Sequence, residues 1–107
     1  MRVSVAQVGD IPEGGCMALR LGTRDVALFL SGGEYYAIED RCPHAGSPLS
    51  GGSVEAGVVT CPWHYWRFRL ADGVGADLPK AKVACFPVTV HGTAIAIEIP
   101  DSQQTSG

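Results

Sequence analysis

Hydrophobic residues occur along the chain in short runs separated by glycine, proline and polar residues, a pattern that predicts strands and turns. No run shows the helical period over the length that a helix needs, so we expect no helix. The predicted strands of the first half are one around Val3, Val5 and Val8 that ends at residues 9–12, a hairpin of Cys16–Leu21 and 26–30, and a strand at 35–38.

The C-terminal part predicts a second hairpin, with strands at residues 83–90 and 93–99 on either side of His91 and Gly92. In its last strand isoleucine alternates with a small or charged residue, which indicates one buried face. Between the two β-rich parts lies segment 40–77, which is rich in proline, glycine and serine and has few long apolar runs. We therefore expect a metal centre to order this segment, because ligand binding can supply folding free energy.

Composition limits the classes of protein that are compatible with the sequence. The chain has 107 residues and a net charge of −3, so it fits a single domain and has no basic surface for nucleic acid. No apolar run approaches the ~20 residues of a membrane helix, and no secretory signal is evident, so we expect a cytoplasmic protein. Its four cysteines are then expected to remain reduced, which favours metal binding over disulfides.

Two short pairs of cysteine and histidine carry the candidate chemistry. Cys42-Pro43-His44 is a C-x-H motif, Cys61-Pro62-Trp63-His64 is a C-x-x-H motif, and sixteen residues separate His44 from Cys61. Two such pairs suit two neighbouring loops that converge on one metal site. Two cysteines and two histidines are also the ligand set of a structural zinc site, and spacing alone leaves that alternative open.

The residues around these pairs resemble the two ligand loops of Rieske proteins. The first loop continues as Ala45-Gly46-Ser47-Pro48-Leu49-Ser50-Gly51-Gly52, and the second continues through Trp66 and Phe68 to Gly73, similar to the H-x-W-x-F…G pattern of that family. The resemblance spans residues 38–88. It implies an all-β Rieske fold, an antiparallel β-sandwich with a cluster-binding subdomain made of the two ligand loops. We expect one domain at 1–100, this subdomain at about 40–77, and a disordered tail at 101–107.

The resemblance further implies one Rieske-type [2Fe–2S] cluster. Cys42 and Cys61 would bind one iron as thiolates, and His44 and His64 would bind the other through ring nitrogens. Neutral imidazoles in place of two thiolates make the cluster less negative, which raises the potential to roughly −150 to +300 mV from about −400 mV in plant-type ferredoxins.

Residues near the predicted ligands indicate a reduction potential in the lower part of the Rieske range. High-potential Rieske proteins carry an extra disulfide between their ligand loops, where this sequence has Ser47 and Trp63. They also carry a serine and a tyrosine whose hydroxyls bond cluster sulfurs, where this sequence has Trp66 and Phe68. Because fewer hydrogen bonds stabilise the reduced cluster less, we predict a low-potential centre.

Other residues are given structural roles. Cys16 and Cys85 lie in apolar runs and are predicted to pack in the core.

Tyr65, where many relatives have glycine, is interpreted as a tolerated loop residue that could otherwise shape a docking surface. Asp77-Leu78-Pro79 resembles a third loop that covers the cluster. His91 is predicted to be exposed. Trp66, Phe68 and Leu70 alternate with Arg67 and Arg69, which predicts one apolar and one basic face.

A one-electron centre without a flavin, haem or nucleotide motif indicates an electron carrier rather than an enzyme. The first hypothesis is a ferredoxin that passes electrons from a flavin-dependent NAD(P)H reductase to a terminal oxygenase. The second is the small subunit of an assimilatory NAD(P)H nitrite reductase, which the residues around Tyr65 and the Asp72-Gly73 turn also resemble. The third is a structural zinc module that binds a protein partner. None of the three requires nucleic acid or a membrane.

Overall fold

A computed structural model describes residues 2–21, 24–41, 48–62, 66–76 and 81–99. Within these residues the chain forms ten strands in three antiparallel sheets and one short 3₁₀ turn, Leu49–Gly51. The strands are β1 (Arg2–Gln7), β2 (Cys16–Leu21), β3 (Arg24–Ser31), β4 (Glu34–Glu39), β5 (Ser53–Glu55), β6 (Val58–Thr60), β7 (Arg67–Arg69), β8 (Cys85–Phe86), β9 (Val88–His91) and β10 (Ala94–Glu98).

The central sheet has the strand order β2-β3-β4-β8 and separates two hydrophobic cores. Successive side chains of a strand point to opposite faces, and in β3 both faces are covered. Val26 and Leu28 pack into one core, whereas Ala27 and Phe29 pack into the other, and all four are fully buried. The predicted hairpin of β2 and β3 is confirmed, with Cys16 opposite Phe29.

The first outer sheet has the order β1-β10-β9 and covers one face of the central sheet. Ile95 and Ile97 of β10 are fully buried against Val26 and Leu28, so the predicted alternation in the last strand is confirmed. The first strand is shorter than expected, because β1 ends at Gln7 and the side chain of Val8 is 49% exposed.

The prediction of one continuous strand over residues 83–90 is wrong. The structure divides it at Pro87 into β8, which belongs to the central sheet, and β9, which belongs to the first outer sheet. Proline has no N–H to donate to a sheet, so it suits the point where the chain changes sheets. Its carbonyl still accepts a bond from the Glu98 amide at 2.9 Å.

The second outer sheet, β5-β6-β7, lies in the segment that was expected to depend on a metal for its order. Its short strands contribute the fully buried side chains of Val59 and Phe68, and Leu49 of the 3₁₀ turn joins them. These side chains pack against Phe29 of the central sheet. Side-chain burial therefore contributes to the order of the described part of segment 40–77, more than its few long apolar runs predicted.

The overall result is an all-β fold with antiparallel sheets, as predicted. None of the described residues forms a helix with the length and apolarity needed to cross a bilayer. The predicted tail, 101–107, lies outside the described residues. His91 is exposed at the β9–β10 turn, as expected.

Candidate metal centre

Of the four predicted ligands, the structure describes Cys61. This residue follows β6 directly, and its side chain is fully buried in the core between the central sheet and the second outer sheet. Cys42, His44 and His64 lie outside the described residues, as does Tyr65. The structure does describe the residues at the two ends of each ligand loop, which form the base of that loop: Asp40 and Ser50 for the first loop, and Cys61 and Trp66 for the second.

The base of the first loop is closed by a buried carboxylate. Asp40 follows β4, is 9% exposed, and accepts bonds from the Ser50 backbone N–H at 2.7 Å and from the Ser50 hydroxyl at 2.8 Å. The Cys16 thiol of β2 donates to the Ser50 carbonyl oxygen at 3.0 Å. The two bonds to the Asp40 carboxylate hold the chain on either side of the predicted Cys42–His44 pair together, and the thiol bond attaches Ser50 to β2 as well.

The base of the second loop is closed by the backbone. The Cys61 amide donates to the Trp66 carbonyl oxygen at 2.6 Å, directly beyond the pairing of Thr60 with Arg67 in β6 and β7. The half-buried Trp66 side chain packs against the same core as Cys61. Cys61, and Trp66 two residues after the predicted ligand His64, are thus held on one β-hairpin.

The two loop bases are neighbours. Ser53 of β5 pairs with Thr60 of β6, so the end of the first loop leads straight into the strand beside the second. Gly52 approaches the Thr60 carbonyl so closely that a Cβ at this position would overlap it. A Cβ on Gly51 would lie 3.9 Å from Cγ of Pro62. The sheet therefore directs both loops to one place.

A third loop begins beside β7. The Gly75 amide donates to the Ala81 carbonyl oxygen at 2.7 Å, and the Ala76 amide donates to the Arg67 carbonyl oxygen at 2.8 Å. These bonds hold both ends of segment 77–80, which includes the predicted covering loop Asp77-Leu78-Pro79 and lies outside the described residues.

The turn after β7 is held by Asp72. Hydrogen bonds from the Arg69 side chain and from the Val74 amide lower the pKa of the Asp72 carboxyl below its usual value. Gly73 has φ of +75° and packs against the Val83 carbonyl, where a Cβ would overlap, so this turn requires glycine. Arg67 and Arg69 are exposed and Phe68 and Leu70 are buried, which confirms the predicted apolar and basic faces.

Sequence reasoning missed Asp40 and Ser50 and assigned Cys16 to packing alone. The available signal was an acid two residues before Cys42 and a hydroxyl residue at the end of the same loop, a pair able to hydrogen-bond. Only the structure shows that the carboxylate is buried and that both of its oxygens bond Ser50.

Comparison with known proteins identifies the family. The Rieske [2Fe-2S] domain family matches residues 1–87. The chain is 42% identical over 105 residues to the 3-phenylpropionate/cinnamic acid dioxygenase ferredoxin subunit of Escherichia coli (strain K12), covering 95% of this chain and 97% of that one. The counterpart from Shigella boydii serotype 4 (strain Sb227) gives the same identity and coverage.

Solved structures agree with this result. The ferredoxin of carbazole 1,9a-dioxygenase from Nocardioides aromaticivorans IC177 superposes with a TM-score of 0.87 at 29% identity, over 94% of this chain and 99% of that one. A protein described as an NADH-dependent nitrite reductase small subunit from Mycobacterium tuberculosis gives 0.84 at 24% identity, over 94% and 96% of the two chains, and shows the shared fold alone.

The fold and the sequence together define an electron carrier built around an iron–sulfur centre. The chain belongs to the Rieske [2Fe-2S] domain family. It carries one Rieske-type [2Fe–2S] cluster and functions in electron transfer as a ferredoxin rather than as a catalyst. Family membership decides against the structural zinc module. The described residues fit the cluster, because two loops share one base and a buried cysteine, a soft metal ligand, lies at that base.

Proposed function

We propose that Cys42, His44, Cys61 and His64 hold the cluster, within a single domain at 1–100 whose cluster-binding part is about 40–77. The buried position of Cys61 at the shared loop base supports the assignment. When bound, the cluster supplies a site that takes up and releases one electron. The chain's own residues then keep that site in place: the Asp40–Ser50 contact and the Cys61–Trp66 bond close the two loops.

The surroundings of this site support a low reduction potential. Phe68 is fully buried and Trp66 is half-buried against the core that contains Cys61, and neither of these side chains carries a hydroxyl. Few hydrogen bonds to sulfur favour the oxidised form of such a centre. We therefore propose a midpoint near the bottom of the Rieske range.

We propose that the chain carries single electrons from a flavin-dependent NAD(P)H reductase to a terminal oxygenase. The observation that carries this proposal is the 42% identity, over 95% of this chain and 97% of the relative, to ferredoxin subunits of a dioxygenase. A further structural neighbour, at 28% identity and a TM-score of 0.83, is a ferredoxin in complex with the oxygenase of carbazole 1,9a-dioxygenase. Because NAD(P)H is the electron source, the proposed location is the cytoplasm.

The alternative partner is the large subunit of an assimilatory NAD(P)H nitrite reductase, which contains flavin and sirohaem. The Asp72-Gly73 turn and the residue after His64 favour it. The similarity of the solved small subunit, at 24% identity, extends to the fold and gives no further support.

Stopped-flow oxidation of the reduced protein distinguishes the two partners. The chain, reduced under anaerobic conditions, is mixed with an oxidised aromatic-ring dioxygenase or with a sirohaem nitrite reductase large subunit. We expect rapid, concentration-dependent oxidation by the oxygenase and product formation only when the ferredoxin is present. Electron transfer to the sirohaem subunit alone would overturn the oxygenase proposal in favour of nitrite reductase.

A further inference from the structure

Ser50 is attached to the central sheet through each of its polar groups. Its amide N–H and its hydroxyl both donate to Asp40, at 2.7 Å and 2.8 Å, and its carbonyl oxygen accepts from the Cys16 thiol at 3.0 Å. Asp40 follows β4 and Cys16 begins β2, so two strands of the same sheet hold this residue. A loop residue bonded in this way has little freedom to move.

Asp40 is itself fixed. Its amide donates to the Asp25 carbonyl oxygen at 2.8 Å, which extends the β3–β4 pairing by one residue. Its side chain is buried, and both carboxylate oxygens bond Ser50. A buried carboxylate without such partners would be costly, so the pairing specifies where the chain returns after the first loop.

The Asp40–Ser50 contact also fixes the position of the first loop relative to the second. Two residues after Ser50, Gly52 packs against the Thr60 carbonyl, immediately before Cys61. A displacement of Ser50 would therefore move the first loop relative to Cys61. The chain between the two bonded residues, 41–49, contains the predicted ligands Cys42 and His44.

We infer that Asp40 is a positioning residue that holds the first ligand loop closed through Ser50 and so keeps its cysteine and histidine in register with Cys61. The inference rests on the proposed ligand set. Residues that orient metal ligands from outside the ligand sphere commonly affect metal retention by roughly 10- to 100-fold. We therefore expect replacement of Asp40 to make the protein lose its cluster faster, by more than any loss of global stability explains.

The test compares Asp40→Ala, Ser50→Ala and the double variant, all purified with the cluster bound. Loss of the cluster to an iron chelator is followed by visible absorbance, and hydrogen exchange over residues 48–55 is followed by mass spectrometry. We expect release roughly 10-fold faster in Asp40→Ala and a loss of protection at the Ser50 amide. Ser50→Ala should act in the same direction with a smaller effect, and the double variant should release no faster than Asp40→Ala alone, because the two residues act as one unit.

The matched control is Asp25→Ala, which removes a neighbouring exposed acid that pairs with Arg20 at 3.0 Å but leaves the Asp25 carbonyl in place. It should release the cluster at the rate of the unaltered protein. Should Asp40→Ala fail to fold, Asp40→Asn, which keeps one oxygen acceptor, gives the same comparison with an intermediate effect.

Two results would overturn the inference. One is unchanged release and unchanged Ser50 exchange in Asp40→Ala. The other is release that rises only in step with global unfolding, which would make Asp40 a stabilising residue alone. Failure of the ligand assignment gives a different result: the unaltered protein would lack iron, whereas the exchange of the Ser50 amide would still report on the contact.

Discussion

Two cysteines outside the proposed ligand set have contrasting environments. Cys16 is half-buried and its thiol donates to the Ser50 carbonyl. Burial, and secondarily the charge of Asp40, raises the pKa of the Cys16 thiol. Cys85 is exposed, so the prediction that it packs in the core is wrong. The apolar run around Cys85 predicted a longer strand than the two residues of β8, and sequence could not show that β8 lies at an edge of the central sheet.

These environments predict the order in which the two thiols react. Alkylation of the cluster-loaded protein, mapped by mass spectrometry, should modify Cys85 first at pH 7.5. Because the raised pKa keeps Cys16 protonated, its rate should increase only above the ordinary thiol range of about 8.5. The thiol form of Cys16 is favoured in the fold, so its contribution to stability is complete below that pH and declines as pH rises towards the raised value.

The control for thiol reactivity is Cys85→Ser, which should remove the fast reaction and leave the slow one. Modification of Cys16 at the rate of Cys85 in the unaltered protein would contradict the burial and hydrogen bonding described for it.

A second prediction at this scale concerns the ligand His64. If His64 binds iron, His64→Cys adds thiolate charge and should lower the midpoint by more than ~100 mV, judged from the gap between Rieske and four-thiolate centres. His91→Cys is the matched control, because His91 is an exposed turn residue far from the loops in sequence. An unchanged midpoint in a cluster-bearing His64→Cys protein would show that His64 is not a ligand.

At the scale of elements, the local hairpins could be predicted and the second outer sheet, β5-β6-β7, could not. β2–β3 and β9–β10 join neighbouring runs through turn residues, so their patterns are complete within a short stretch. β5 and β6 have only three residues each, too few to show a period of two, and the alternation recognised around β7 did not show which strand it pairs with. Their pairing also depends on contacts of Val59 and Phe68 with the central sheet, which sequence does not display.

The contact between the 3₁₀ turn and β6 predicts a pair of glycine variants with different outcomes. In Gly52→Ala the added Cβ would overlap the Thr60 carbonyl oxygen and lie 2.9 Å from its carbon, so the backbone must move. We expect a loss of about 1–3 kcal/mol in the free energy of unfolding, as for other overpacked positions. Chemical denaturation of the cluster-loaded protein measures it.

Gly51→Ala is the control for this prediction. Among the residues that the structure describes, its Cβ would meet Pro62 alone, at an ordinary contact distance of 3.9 Å, so stability should change by less than about 0.5 kcal/mol. Equal losses in the two variants would show that glycine is needed here for chain flexibility rather than for the approach of the two loop bases.

At the scale of the whole molecule, the described residues form three sheets and two cores, and one of these cores contains the proposed ligand Cys61. Cys61 belongs to the same cluster of buried side chains as Phe29, Phe68 and Leu49. The proposed ligand Cys61 is therefore held in place by the packing of the hydrophobic core. The family resemblance of residues 38–88 predicted this class of fold and cofactor from the ligand motifs, which carry specific chemistry. Long-range packing and the Asp40–Ser50 contact required the structure.

The identity of the redox partner depends on more of the chain than the ligand motifs do. From the motifs alone, both an oxygenase and a nitrite reductase large subunit stayed open as partners. The ligand motifs of this chain resemble those of Rieske ferredoxins and of nitrite reductase small subunits alike, so these motifs do not distinguish the two partners. Identity over nearly the whole chain to dioxygenase ferredoxin subunits then supports the oxygenase system. That support comes from the full sequence rather than from any single residue.

The most direct test of the central claim is a redox titration of anaerobically purified protein followed by electron paramagnetic resonance. We expect a Rieske-type signal that appears on one-electron reduction, with a midpoint below about +100 mV and near the low end of the range of roughly −150 to +300 mV. A higher midpoint would contradict the role given to Trp66 and Phe68. Absence of the signal, with zinc in place of iron, would contradict the proposed cluster and electron transfer together.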